Sequence, residues 1–379
     1  MTIVIADDIT GAAEMAGIAL RYNLSAMVAD DVVDANITDV LVVYTNTRSM
    51  TKDEATHIMY HLTEKARRKN PDFFYKKTDS VLRGHVLAEM DAQLKALHLK
   101  KALLVPVNPA LGRVIRQGQY YVNDQPVHET SFSYDPEFPI TSSAVREMLG
   151  EENIPAQVIE YKKSNSWVGI AVGEASTIED LKKWANANDG FMLLAGGGSF
   201  FNALLAAKYM ESSEGTRGRF QLSAPLLFVS GTTYQRNVER IKGYSPVVSY
   251  MPDHIFSASG NAKIDLSIWA DEVLHKLNKH KLAIIAIDNS QNKKGDADLL
   301  RERISEVSKM VFEKINIGEL LIEGGSVAYA IVQKLGWKSF IPTEELEQGI
   351  VRMQVVGESN IHLTIKPGSY EWPEEWNFS

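Results

Sequence analysis

Acidic, cationic and hydroxyl side chains recur in this sequence directly after short β-branched or apolar runs. Asp7 and Asp8 follow Thr2 to Ala6; Asn46, Thr47 and Arg48 follow Val40 to Thr45; Lys77, Asp79, Ser80 and Arg83 close or follow Phe73 to Lys77; Asn108 follows Ala102 to Val107. In an open parallel sheet, ligands bind beyond the carboxyl ends of the strands, so these residues are expected along one edge. Arg48, Lys77 and Arg83 would make that edge locally basic, although the chain carries a formal net charge of -8. Arginine offers a bidentate fork for carboxylate or phosphate, and lysine adds a point charge. Asp8 and Asp79 would accept hydrogen bonds from sugar hydroxyls, or one of them would take a proton from an attacking hydroxyl. A single Asp or Ser at a strand-to-helix junction is as readily an N-cap. It is the loading of three consecutive strand ends that argues for a site.

The C-terminal half has glycine-bearing turns at the same kind of junction. These are Ser230-Gly231-Thr232-Thr233, Glu323-Gly324-Gly325-Ser326 and Lys366-Pro367-Gly368-Ser369. Glycine lets backbone N–H groups approach phosphate oxygens, and a following helix N-terminus favours anions. Such turns also occur for backbone geometry alone, and the triple Gly196 to Gly198 has the same status. No GxxxxGK[ST] motif is present, and Gly196-Gly197-Gly198 lacks the third glycine of a dinucleotide fingerprint. That absence weighs against a hydroxy-acid dehydrogenase. His57 and His61 stand four apart with no HExxH glutamate, and are expected on a solvated or packed helix face.

The elements that would position these residues alternate along the chain. Helical patterns cover Gly11 to Tyr22, Lys52 to Lys69 and Gly84 to Leu97 between the first strand runs, implying a mainly parallel sheet covered on both faces. From Asn108 to Pro139 six Pro and Gly residues break the pattern, which predicts a long ordered excursion. Helices are then expected at Ser142 to Gly150 and Thr177 to Ala187, with strands at Trp167 to Val172 and Phe191 to Ala195. Glu211 to Arg219 (ESSEGTRGR) is polar and aperiodic. A second α/β unit follows, closing with strands near Ile350 to Val355 and Ile361 to Ile365. The expected division is a domain over 1–210, a linker over 211–224 and a domain over 225–379. Both are expected to be three-layer α/β domains with mainly parallel sheets, separated by an interdomain cleft.

The chain has 379 residues, 45% of them hydrophobic, which is more than one compact core usually holds. Its acidic balance argues against nucleic acid or an anionic membrane as partner. With no cysteine, disulfides and thiolate chemistry are excluded. The N-terminus reads as a strand and not as a secretory signal, and no apolar run approaches the length of a membrane span. A cytoplasmic, soluble protein is expected, with a homodimer as the default assembly.

Longer strings in the sequence carry a resemblance. Ile5 to Gly17 (IADDITGAAEMAG), Lys76 to Met90 (KKTDSVLRGHVLAEM), Pro106 to Thr130 and Asp135 to Pro139 (DPEFP) resemble successive blocks of the four-carbon acid sugar kinase family. The resemblance implies an N-terminal domain for the sugar acid and a C-terminal domain for ATP. It also implies phosphorylation of threonate, erythronate or 3-oxo-tetronate at the terminal hydroxyl, with ATP and magnesium (Mg2+) as cofactors. It places Asp8, Arg48, Lys77, Asp79 and Arg83 in the substrate site, with Gly112, Arg113 and Gly118 close to it; together with the strand-end residues Asp7, Asn46 and Ser80 and with Gly84, these are the expected substrate-binding residues. Asp8 or Asp79 would be the catalytic acceptor of the hydroxyl proton. The nucleotide would lie on Ser230, Gly231 and Thr232, on Gly324, Gly325, Ser326 and Val327, and on Gly368. The C-terminal turns depart from the family pattern: SGTT, GGSV and PGSYE stand where GSxS-type, GG[DE]T and PGSFG turns are expected. Those departures leave a non-catalytic sugar-acid sensor as the alternative.

Overall fold

Runs such as TIVIA and VLVVY are apolar throughout and rich in β-branched residues, the pattern of strands covered on both faces. Every residue of both is buried. The computed structural model describes residues 1–34, 38–135, 138–150, 153–163, 167–212, 221–231, 235–255, 262–287, 297–358, 360–368 and 370–372. The chain divides into two units, Met1–Ser213 and Glu214–Ser379. Residues 213–220, the greater part of the expected linker, lie outside the described residues.

The first unit runs β1 (Thr2–Ala6), α1 (Ile9–Leu20), β2 (Ala26–Ala29), β3 (Val40–Tyr44), α2 (Lys52–Arg67), β4 (Phe73–Lys77), α3 (Val86–Leu97) and β5 (Lys101–Val105). It continues with β6 (Arg113–Arg116), β7 (Gln119–Val122), β8 (Gln125–Pro126), α4 (Val145–Leu149), β9 (Ala156–Ile159), β10 (Gly169–Gly173), α5 (Ile178–Asn186), β11 (Leu193–Gly196) and α6 (Gly198–Ala206). The main sheet of this unit has the order β2-β3-β1-β4-β11-β5-β10-β9, and its pairs are parallel. Its register aligns the last residues of five strands in one row: Tyr44, Ala6, Lys77, Gly196 and Val105. The residues after that row share the carboxyl edge.

Two helices show why the layers form. α1 is built of small and apolar residues and is buried from Ile9 to Ala19. α2 has a Thr51–Glu54 capping box and buries only Ala55, Met59, Thr63 and Ala66, a single stripe. Met59 packs with Ile3, Ile5, Leu41 and Val43. Truncating such a buried Met to Ala costs about 2–5 kcal/mol.

The excursion after β5 holds its own antiparallel sheet, β6-β7-β8. The helix expected at Ser142 to Gly150 is only Val145–Leu149. Ser143 and Ala144 are recruited as extended backbone beside β7, with Tyr120 N–H on Ser143 C=O at 2.8 Å. Pairing to a neighbouring strand outweighs local helix preference there.

The second unit contains β12 (Leu226–Ser230), α7 (Gln235–Lys242), β13 (Val248–Tyr250), α8 (Ala262–His280), β14 (Leu282–Ala286), α9 (Ala297–Phe312), β15 (Glu319–Glu323), α10 (Gly325–Leu335), β16 (Ser339–Glu347), β17 (Ile350–Val355) and β18 (His362–Lys366). Its strand order is β13-β14-β12-β15-β18-β17-β16. β13 to β15 and β18 run parallel, while β16, β17 and β18 are antiparallel. β16 escapes sequence reading because Pro342 and three glutamates interrupt its apolar pattern. Arg352 of β17, bonded to Glu344 at 3.1 Å, offsets part of that charge. Among the described residues no helix is long and apolar enough to cross a membrane.

Candidate active site

β1 ends at Ala6 and α1 begins at Ile9, so two residues turn the chain. Asp8 is the N-cap of α1: its Oδ1 accepts from Gly11 N–H at 2.8 Å and its Oδ2 from Thr10 Oγ1 at 2.6 Å. The capping reading is thus correct for Asp8, and the same carboxylate also meets Arg48 Nη1 at 3.2 Å. Arg48 sits on a single turn, Thr47–Ser49, directly after β3. Its Nε and Nη2 both reach Asp7 Oδ2 at 2.8 Å, and Nη1 lies 3.6 Å from Asp79 Oδ1. One guanidinium therefore ties the ends of three adjacent strands, β3, β1 and β4.

Asp79 is more fully committed. Its Oδ2 accepts from the N–H groups of Val81 and Arg83 and from Arg83 Nε, at 3.0–3.2 Å, and its Oδ1 accepts from Arg83 Nη2 at 2.8 Å. Arg83 extends the network to Asp135 Oδ2 at 2.7 Å. Arg113, at the start of β6, donates from Nη1 to Ser80 Oγ at 2.6 Å, and Tyr120 donates to Ser80 C=O at 2.5 Å. The guanidinium carbons of Arg83 and Arg113 lie 5.7 and 5.2 Å from the centroid of Phe132. The excursion thus reaches the site through Arg113, Tyr120, Phe132 and Asp135.

Lys77 points to the α1 side of the sheet, with Nζ 3.4 Å from Glu14 and 3.0 Å from Thr78 C=O. A Cβ on Gly11 would stand 2.7 Å from Asp8 Oδ1 and 3.0 Å from Lys77 Nζ, so only glycine leaves room for both. Gly84 has φ +87, and a Cβ there would meet Arg48 Cγ at 3.0 Å. Its place in the site is to let the backbone pass Arg48 closely.

The electrostatics follow from burial and partners. Burial raises Asp7, and Arg48 and Lys76 only partly offset it. Burial also works against ionisation of Asp8, but Arg48, Lys77, Thr10 and Gly11 outweigh it and hold the carboxyl below its usual value. Asp79 is held well below that range, as Arg83 and Arg48 overcome its desolvation. Burial opposes the charge on Lys77, yet Glu14, Asp8 and Asp7 raise it on balance. The locally basic edge expected from sequence needs correction. Arg48, Lys77, Arg83 and Arg113 are interleaved with Asp7, Asp8, Glu14, Asp79 and Asp135. Carboxylates from α1 and from the excursion balance the cations.

Asn46 precedes the Arg48 turn, and its side chain makes no cap bond. Asn108 pairs through its backbone with Arg113, at 2.9 and 3.0 Å. Gly112 ends the short turn before β6, whereas Gly118 is at the far tip of the β6–β7 hairpin, with its N–H on Glu174. Glu14, Tyr120, Phe132 and Asp135 were missed as site residues. Glu14 had a signal: it is the only charged residue of α1. His57 and His61 are exposed on α2 with ring centroids 4.2 Å apart. No group of three metal-ligating His, Cys, Asp or Glu side chains occurs among the described residues.

In the second unit, register places Ser230, Glu323 and Lys366 in one row at the ends of β12, β15 and β18. The three glycine turns therefore start side by side. Gly324, with φ +105, precedes α10, whose first residues are Gly325, Ser326 and Val327. Val327 packs on Gly231, where an added Cβ would stand 2.3 Å from Val327 Cγ2. Gly368 follows β18 directly after Pro367. Thr232, Thr233 and Ser369 lie outside the described residues. Lys366 Nζ is 2.7 Å from Glu323 Oε1, and Ser230 Oγ donates to Glu323 Oε2 at 2.8 Å. Burial lowers Lys366, and Glu323 offsets this only in part.

A parallel sheet with an ion-pair network at its carboxyl edge is the frame on which a family model for a sugar-binding N-terminal domain matches residues 2–204. The match covers more than half of the chain, and the chain belongs to that family. It is 26% identical to a D-threonate kinase of Salmonella typhimurium, over 89% of this chain and 87% of the relative. It is 23% identical to a 3-oxo-tetronate kinase of Actinobacillus succinogenes, over 97% and 96%. A solved structure from Salmonella typhimurium LT2, provisionally described as a tRNA synthase, aligns with TM-score 0.79 at 18% identity, over 98% of this chain and 96% of that one. That last likeness speaks for the fold alone.

Proposed function

We propose that the chain is a phosphotransferase that moves the γ-phosphoryl group of ATP to the terminal hydroxyl of a four-carbon sugar acid, such as threonate, erythronate or 3-oxo-tetronate. The observation that carries this reading is the interleaving of Arg48, Lys77 and Arg83 with Asp8 and Asp79 in one network. Alternating cations and carboxylates suit a ligand that carries both a carboxylate and hydroxyls better than they suit a bare anion. The names of the two relatives above support the same substrate class.

In this reading the sugar acid's carboxylate pairs with Arg83 or Lys77, and Asn46 orients a hydroxyl. The two candidate acceptors differ in remaining capacity. A carboxylate has about four lone-pair sites; Asp79 uses them on Val81 and Arg83, and is the positioning group. Asp8 has fewer donors and is the more exposed, at 15% against 8%. It takes the terminal hydroxyl's proton as that oxygen bonds to the γ-phosphorus and ADP departs with the electrons of the broken P–O bond. Burial opposes the charge on Asp8, but Arg48 and Lys77 hold the carboxyl below its usual value, so it is ionised at neutral pH and only a weak acceptor. Phosphoryl transfer depends on positioning and charge neutralisation more than on a strong base. In the second unit, Ser230, Gly231, Gly324 to Val327 and Gly368 would cradle the nucleotide. A magnesium ion is proposed to arrive on the polyphosphate and to keep most of its waters. When bound, it would neutralise phosphate charge.

A cytoplasmic setting accords with the absence of cysteine, and a homodimer is the proposed assembly, to be checked by light scattering. The test of function is ADP release with a panel of threonates, erythronates and 3-oxo-tetronates. Saturable turnover with one of them supports the kinase. Tight binding of a tetronate without ADP release would replace it with the sensor, a reading motivated by the altered C-terminal turns, including the apolar Val327.

A further inference from the structure

The first unit's ion pairs surround the proposed substrate, but the second unit also buries a charged pair that the reaction does not use. Glu323 and Lys366 are 1% and 0% exposed. Replacing a buried ion pair by apolar residues is often neutral or stabilising, so fold stability alone is a poor reason for one here. Its hydrogen bonds suggest another. Lys366 Nζ forms an ion pair with Glu323 Oε1 at 2.7 Å and donates hydrogen bonds to Pro367 C=O at 3.0 Å and to Tyr370 C=O at 2.5 Å. The last two are backbone groups on either side of Gly368. Glu323 uses Oε2 on the Ser230 hydroxyl, and its backbone C=O accepts from Gly231 N–H at 3.0 Å. The backbone C=O of Lys366 accepts from Gly324 N–H, also at 3.0 Å. Each of the three glycine turns is thus bonded to one or both members of this pair.

Glycine turns recognise phosphate through backbone N–H groups, which works only if those groups are held in place. Glycine supplies no side chain to hold them. We infer that Glu323 and Lys366 are positioning residues for the nucleotide, fixing the turns at Ser230-Gly231, Gly324-Gly325 and Pro367-Gly368 from beneath without touching the ligand. The inference rests on the reading that this edge binds ATP.

The second unit provides its own control. Glu319 and Arg352 form another buried pair, at 2.9 Å, at the opposite end of β15. The experiment measures ADP affinity by calorimetry, tetronate affinity, and hydrogen exchange of the ligand-free turns, for wild type, Lys366→Met, Glu323→Gln and Glu319→Gln. Glu323→Gln keeps an acceptor for Ser230 and removes no atoms from the core, so it covers the case in which Lys366→Met fails to fold. The expected result is ADP binding weakened at least tenfold in the Lys366 and Glu323 variants, with faster exchange confined to the three turns. Tetronate affinity stays unchanged, and Glu319→Gln binds ADP as wild type does. ADP affinity within twofold of wild type in Glu323→Gln would overturn the inference, as would equal weakening in Glu319→Gln. If the wild type binds tetronate but no ADP, the kinase reading itself falls and takes the inference with it.

Discussion

Under the proposed function the two carboxyl edges would solve recognition in opposite ways. At the edge of the first unit the backbone is scaffolding and side chains would meet the proposed sugar acid: Asp8, Arg48, Lys77, Asp79 and Arg83 form a net in which each charge has a partner. At the edge of the second unit the charged side chains turn inward as the Glu323–Lys366 pair, and glycine backbone is left at the surface. A small sugar acid presents several different groups at fixed spacing, and distinguishing them takes side chains of different chemistry. A polyphosphate presents the same oxygen repeatedly, and backbone N–H groups suffice. Where affinity depends on side chains, substitution should remove a named contact; where it depends on backbone, substitution should act through conformation.

The largest effect is expected from Arg48→Met. It strands Asp7, Asp8 and Asp79 without their shared guanidinium, and breaking a buried pair costs about 3–5 kcal/mol. Tetronate binding should vanish and the urea midpoint should fall, while ADP binding persists. Loss of both ligands together would erase the distinction between the edges. Asp8→Asn comes next. Asparagine caps a helix as well as aspartate does, so folding should survive while kcat falls roughly 100- to 10,000-fold. Full turnover would move the acceptor role to Asp79. Gly324→Ala introduces a side chain at φ +105, a strain of about 1–3 kcal/mol. It should raise the KM for ATP and leave the KM for the sugar acid alone.

Acid titration should give a smaller signal. Asp79 is held below its ordinary 3.8 by Arg83 and Arg48. Its ionised form therefore adds stability that is complete above about 3.8 and is lost as pH falls toward the folded value, because the unfolded chain binds the proton more readily. Urea midpoints between pH 5 and pH 2.5 should decline less steeply in Asp79→Asn than in wild type. The smallest effect contrasts two lysines at high pH. Lys77 is raised above 10.5, so its stabilisation is present below 10.5 and is lost as pH rises through the folded value. Lys366 is lowered, so stability should rise with pH from its folded value up to about 10.5. Lys77→Met and Lys366→Met should change the alkaline slope in opposite senses. Equal slopes would mean that the two buried lysines sit in equivalent surroundings.

Residue order and apolar periodicity were enough to foresee alternating strands and helices. They also foresaw that Lys77 closes a strand and that Asp7, Asp8, Arg48, Asp79 and Arg83 follow strand ends, because that requires only the two-residue period of a strand and the polarity of its flanks. They foresaw the glycine turns for the same reason. Three things were decided by tertiary structure. Strand order set β3, β1 and β4 side by side, and without it Arg48 would not span Asp7, Asp8 and Asp79. The excursion folded back through Arg113, Phe132 and Asp135, contacts that cross 33 to 52 positions of sequence and leave no local pattern. The balance of charge at the site was also hidden, since Glu14 and Asp135 neutralise cations far from them in the chain. Local pattern specifies which face a side chain takes; which partner waits there depends on the register between distant strands.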